Sequence, residues 1–91
     1  MTNEKRLTVQ VHYDVLRAVH LRRKSGELPT LYEIERFAAV PYRRLKDRLE
    51  ELNGAGFMDS DLNLTDRGYT FMQDMAKVAT VLERYGYWHK G

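Results

Sequence analysis

Apolar residues recur at helical spacing over about Val9 to Lys24, where Val11, Val15, Leu16, Val19 and Leu21 form one stripe. Arg22, Arg23 and Lys24 suit the negative C-terminal pole of that helix, and Ser25-Gly26 stops it. A shorter helix is predicted next. Thr30 precedes it and Glu33 follows three residues later, the spacing of a capping box. Leu31, Ile34, Phe37 and Ala38 are spaced to face inward, and the helix is expected to end near Ala39. Ala39-Val40-Pro41 reads as a turn, with Pro41 at the first position of a third helix, where its missing N–H costs nothing. That helix runs to about Asn53, with Leu45, Leu49 and Leu52 as its buried seam and Gly54 as a candidate left-handed cap. Phe57-Met58 and Leu62-Asn63-Leu64 flank Asp59-Ser60-Asp61, which predicts two very short strands around an Asp-rich turn. Thr65 then N-caps a long fourth helix that reaches about Tyr85, before Gly86.

This order of elements predicts a mainly α fold with a small β-hairpin, a winged helix-turn-helix followed by a long C-terminal helix. The corresponding divisions are an N-terminal arm over 1–8, the winged domain over 9–64, and a dimerisation helix with an aromatic tail over 65–91. In a helix-turn-helix the second helix of the pair enters the DNA major groove. The third helix, 41–53, is therefore the expected reading element.

Charge sharpens this expectation. The net charge is only +2, but residues 1–48 carry 11 Lys/Arg against 6 Asp/Glu, whereas residues 49–91 carry 4 against 7. The basic half contains the third helix. With its leucines in the core, that helix exposes Tyr42, Arg43, Lys46 and Asp47, and carries Arg44 and Arg48 on one flank. Arg makes bidentate hydrogen bonds to guanine in the major groove, and Lys suits phosphate as a point charge. The expected DNA-binding residues are Tyr42, Arg43, Arg44, Lys46 and Arg48. Lys5 and Arg6 are candidates for an arm that reaches phosphates, while Arg22, Arg23 and Lys24 are read first as helix-capping charges. Asp59 and Asp61 make the wing tip acidic, so the wing is expected to contribute little to DNA binding.

Four stretches carry a resemblance. They are Tyr13-Asp14-Val15-Leu16-Arg17-Ala18-Val19, Pro41 to Leu52, Gly56-Phe57-Met58, and Leu64-Thr65-Asp66-Arg67-Gly68. Together they resemble a small archaeal winged-helix family of the MarR/PadR-like superfamily, over about residues 9–85. The resemblance implies a DNA-binding protein that dimerises through an antiparallel coiled coil of its C-terminal helix. It also places the recognition role on Tyr42, Arg43, Arg44, Lys46 and Arg48.

The fourth helix supports a dimer independently. Phe71, Met75, Val78, Leu82 and Tyr85 are spaced 4, 3, 4 and 3 apart, a heptad seam, and Met72 and Ala79 widen it. A chain of 91 residues has little core with which to cover so long a stripe. A second copy is the expected cover, and folding back onto the first helix is the alternative. The aromatic tail, Tyr85 to His89, is expected to pack across the dimer or against its own core.

Other functions find no support in the residues. There is no cysteine, hence no disulfide or thiolate metal site. His12 and His20 lie about 12 Å apart by helical rise, too far to share a metal, and both are read as surface histidines together with His89. No Gly-rich phosphate loop or nucleophile–base spacing occurs, so neither catalysis nor a cofactor is expected. No small-molecule effector site is indicated. No apolar run is long enough to span a membrane and no secretory signal is visible, which predicts a cytoplasmic, nucleoid-associated protein. The leading expectation is a dimeric DNA-binding transcriptional regulator. The alternatives are an architectural, chromatin-like DNA binder with little sequence preference, and a winged-helix protein-interaction module that does not bind nucleic acid.

Overall fold

The computed structural model describes residues 6–88 and contains four helices: α1 (Thr8–Lys24), α2 (Leu31–Ala38), α3 (Tyr42–Gly54) and α4 (Asp66–Arg84). α1 packs against each of the other three, and α2 also packs against α3. This explains a broader apolar arc on α1 than a single stripe. Val15, Leu16, Ala18 and Val19 are all fully buried, because different sides of one helix meet different neighbours. They form a common core with Ile34 and Ala38 of α2, Val40 of the turn, Leu45 and Leu52 of α3, Met58, and Met72 of α4. Removing any one of the fully buried leucines would cost about 2–5 kcal/mol, the transfer energy plus the cavity left behind.

The local signals act largely as their chemistry dictates. The Thr30 hydroxyl accepts from the Glu33 N–H and the Glu33 carboxylate accepts from the Thr30 N–H, a complete capping box. The Thr65 hydroxyl likewise caps α4 by accepting from the Gly68 N–H at 3.0 Å. Two expectations are displaced. Gly54 is the last residue of α3, and Gly56, at φ 82°, takes the left-handed position instead. Phe37 is 51% exposed, because the buried stripe of α2 is centred on Ile34 and Ala38 and leaves it at the edge.

The wing is absent, which corrects the expected fold class: the described residues contain no strand, and the fold is all-helical rather than a winged helix-turn-helix with a β-hairpin. A single antiparallel bridge joins Met58 to Leu64, made by Asp59 N–H to Asn63 C=O at 2.9 Å and Thr65 N–H to Phe57 C=O at 3.2 Å. Pairing is blocked on both sides of it. On one side, Phe57 donates its N–H back to Leu52 of α3, and Thr65 is already the cap of α4. On the other, the Asp59 side chain gathers the chain into a closed loop, accepting from the N–H groups of Asp61 and Asn63, both at 2.9 Å, and from the Asn63 amide. Leu62 adopts φ 61° to complete that loop. The sequence pattern gave the turn; it did not leave enough chain for a ladder.

The entry to α4 is tightly built. The Thr65 hydroxyl donates to the Gly56 carbonyl at 2.6 Å, and Arg67 donates from Nε to the Ala55 carbonyl at 3.0 Å while its guanidinium lies over the Phe57 ring. Phe57 stacks in turn on Phe71, with centroids 4.5 Å apart. At Gly68 the backbone of Phe57 comes so close that a Cβ would stand 1.9 Å from its carbonyl oxygen. The Leu-Thr-Asp-Arg-Gly stretch is thus the clasp between the loop and α4. Gly68→Ala should destabilise the fold by about 3 kcal/mol or more, at the upper end of single-substitution effects. Gly54→Ala, in a helix with open space beside it, should be neutral or stabilising by up to about 1 kcal/mol. Urea denaturation of the two variants side by side measures both; equal effects would contradict the packing described.

Candidate nucleic-acid interface

Everything about α3 is arranged from its preceding turn. α2 is capped by Ala39, which adopts the left-handed conformation at φ 56°, and three residues separate the two helices. Left-handed backbone at a residue with a Cβ is unfavourable, and the end of a helix leaves carbonyls without partners. Arg6 answers both demands. Its guanidinium donates to the carbonyls of Ala38 at 2.8 Å and Ala39 at 2.7 Å, and pairs with Asp14 of α1 at 2.7 Å. The Arg6 side chain is only 6% exposed. Burial raises the Asp14 carboxyl above the usual aspartate value, against the opposing pull of the Arg6 hydrogen bond and charge. The expected phosphate-seeking arm therefore does not include Arg6, which is consumed inside the fold; Lys5 lies outside the described residues.

The first two turns of α3 hold most of the residues expected to bind DNA. Tyr42 is 48% exposed, and Arg43, Arg44 and Lys46 are exposed as well. Leu45 and Leu52, on the opposite side, are fully buried and fix the helix rotation. No acidic residue lies in the first turn and no side chain caps it, so the positive pole of α3 stands beside these basic groups. Arg48 is placed differently. It pairs with Glu51 at 3.2 Å, and Glu51 also meets His12 of α1 at 2.7 Å. Arg48 thus joins a network that holds α3 to α1, apart from the outward basic group. Asp47, Glu50 and Glu51 make the second half of the helix acidic.

Other basic residues also have structural partners. Arg22 pairs with Glu27 and with Glu33, the latter at 2.7 Å, linking α1 to the start of α2. Arg23 donates to the carbonyls of Asp61 at 2.6 Å and Leu62 at 3.3 Å, which anchors the acidic loop to α1. Both do more than complement a helix pole. Asp59 is held below the usual carboxylate range, first by the Asn63 backbone N–H and then by the Asn63 side chain. A cationic residue not singled out by pattern is Arg36 of α2, which lies over the Tyr32 ring and donates to its hydroxyl at 3.1 Å. The signal was present: aromatic and Arg four apart on a helix are neighbours.

The expected dimer seam of α4 is divided. Met72 and Ala79 face the protein interior, and Phe71, Met75 and Leu82 are half-buried beside them. Val78, at 41% exposed, and Tyr85, at 67%, lie outward together with Val81. α4 does fold back on α1, but only with part of its apolar surface. Trp88 of the tail packs edge-on against Tyr13 of the same chain, with centroids 5.6 Å apart. His20 lies against Tyr69, so neither it nor His12 is an isolated surface histidine, and His89 lies outside the described residues. Among the described residues no group of three or more potential metal ligands converges, and no helix is long and apolar enough to cross a membrane. No protein family, curated protein or solved structure matches the chain.

Arg6→Met, which keeps the length of the side chain and removes its donors, should cost about 3 kcal/mol, since it leaves the largely buried Asp14 carboxylate and the part-buried Ala38 carbonyl without their partner. Thermal unfolding at neutral pH checks this. Loss of less than about 0.5 kcal/mol, the range of an ordinary surface change, would show that the clamp is incidental.

Proposed function

We propose that this protein is a dimeric, sequence-reading DNA-binding regulator of transcription that acts at the nucleoid and inserts the N-terminal half of α3 into the major groove. The observation that carries the reading is the exposed group Tyr42, Arg43, Arg44 and Lys46 on the first two turns of a helix whose other face is locked into the core. The N-terminal residues of a recognition helix are the ones that meet base edges. The three-residue turn from α2 and its buried Arg6 clamp give that helix the rigidity that specific contacts require. Arg43 and Arg44 supply bidentate donors for guanine, and Lys46 and Tyr42 supply phosphate contacts.

The basic surface is small, and Arg48, Arg22 and Arg23 are engaged elsewhere. Non-specific binding relies on many phosphate contacts, so this economy favours sequence reading over an architectural role. With no wing, the binding energy rests on α3 and its neighbour α2. The outward strip Val78, Val81 and Tyr85 is the proposed dimer surface, and a dimer would present two reading helices to half-sites roughly 34–36 Å apart.

Fluorescence anisotropy against a random duplex pool at two salt concentrations, with selection of bound sequences, tests the reading. Enrichment of a palindrome supports it, and absence of binding at low salt refutes it. Arg43→Ala should weaken binding to the selected site by about 1–3 kcal/mol and relax preference at one base, whereas Lys46→Ala should weaken all sequences alike and lower the salt dependence. For the dimer, Val78→Glu should halve the sedimenting mass while leaving helical content intact, because the residue is exposed within one chain. An unchanged mass would remove the strip from the interface.

A further inference from the structure

A groove of about 540 Å³ opens between α2, the second half of α3 and the Asp59 loop, on surface that the DNA-binding reading does not use. Its apolar wall comes from Leu31, Leu49, Met58 and Leu62. Its size is in the range of small-molecule sites. The charged residues that line it have one sign, with the nearest cation, Arg23, bonded to the backbone of the Asp59 loop. Glu50 and Asp59 line it, and none of the lining residues is Lys, Arg or His. The Glu50 carboxylate has no hydrogen bond or ion pair among the described residues, although it stands on a rigid helix beside the groove. Asp59 is held ionised by its loop, since its N–H partners favour the charged form. Asn53 adds a neutral amide at the rim.

Two fixed negative charges repel phosphate, nucleotides and fatty acids. They attract a positive charge, and the leucine-rich wall rewards an apolar body attached to it. We propose that this groove binds an organic cation with a hydrophobic body, such as an arylalkylammonium, quaternary ammonium or phosphonium ion, with Glu50 as the principal counter-charge. A peptide or a second copy of the chain would need complementary cationic groups too, but the volume of the groove suits a small molecule. The proposal stands independently of the DNA-binding reading, because it uses the acidic half of α3 and needs no nucleic acid to be tested.

The test is a titration of the full, isotope-labelled chain with tetraphenylphosphonium, followed through amide chemical shifts, beside the uncharged triphenylphosphine oxide. Saturable shifts are expected at Leu49, Gly54, Ser60 and Leu62. The uncharged probe should bind about two- to fivefold more weakly, and Glu50→Gln should weaken the cation by a similar factor, as loss of a partly exposed charge pair implies. Glu50 is exposed, so the variant keeps its fold, and the comparison of probes on the unaltered chain does not depend on it. Equal binding of both probes would overturn the proposal in favour of an apolar groove without charge selection. Shifts of the same amides with protein concentration alone would assign the groove to a second copy. No saturable shift up to the solubility of the cation would overturn it outright.

Discussion

A guanidinium buried at the corner between three segments governs how this small protein presents its surface. Arg6 bonds two carbonyls at the end of α2 and the carboxylate of Asp14 on α1, and thereby holds a left-handed alanine in the turn before α3. A charge so deeply placed is tolerated only with its partners in position. The direction in which α3 leaves the turn, and hence the orientation of Tyr42, Arg43, Arg44 and Lys46, follows from that arrangement together with the burial of Leu45 and Leu52. A residue before the first helix controls a helix some forty positions later.

The same economy appears in the other arginines. Arg22 and Arg23 each bridge two parts of the fold and Arg48 pairs with Glu51 of its own helix, whereas the outward charges of α3 are carried by its first turns. A protein of this size has a limited hydrophobic core. Polar clamps at the ends of α1 and α2, the Thr65–Gly56 bond and the Gly68–Phe57 approach fix what the core alone would leave loose. The consequence for function is a rigid helix with a divided character: basic at the end that meets the turn, acidic at the end that meets the Asp59 loop. The two proposed partners divide accordingly, nucleic acid at the basic end and a cationic small molecule at the acidic end.

The Asp-rich segment illustrates how a correct local reading gives a wrong element. Its turn chemistry is real, with Asp59 gathering Asp61 and Asn63. What the periodicity of so short a stretch did not reveal is that Phe57 is committed to α3 and Thr65 to α4, leaving one bridge where a hairpin was expected. The heptad spacing on α4 misled in a related way. It identified an apolar surface, but α1 covers one flank of it, so Met75 and Leu82 are half-buried while Val78 and Tyr85 face outward.

The sequence by itself determined the four helices, the Thr30 and Thr65 caps, the turn ahead of Pro41 and the buried leucines of α3, because capping hydrogen bonds and helical periodicity act over a few residues. It also set apart the exposed basic group at the start of α3, since the leucine spacing fixes the opposite face. Only the tertiary structure decided that Arg6, Arg22 and Arg23 are engaged, because their partners include groups brought close by packing rather than by spacing along one helix; Arg48 meets Glu51 one turn along α3, and packing brings His12 to the same carboxylate. The missing wing and the groove beside Glu50 were decided there too. Both depend on where the ends of α3 and α4 meet the Asp59 loop, a relation between distant segments that no local pattern encodes.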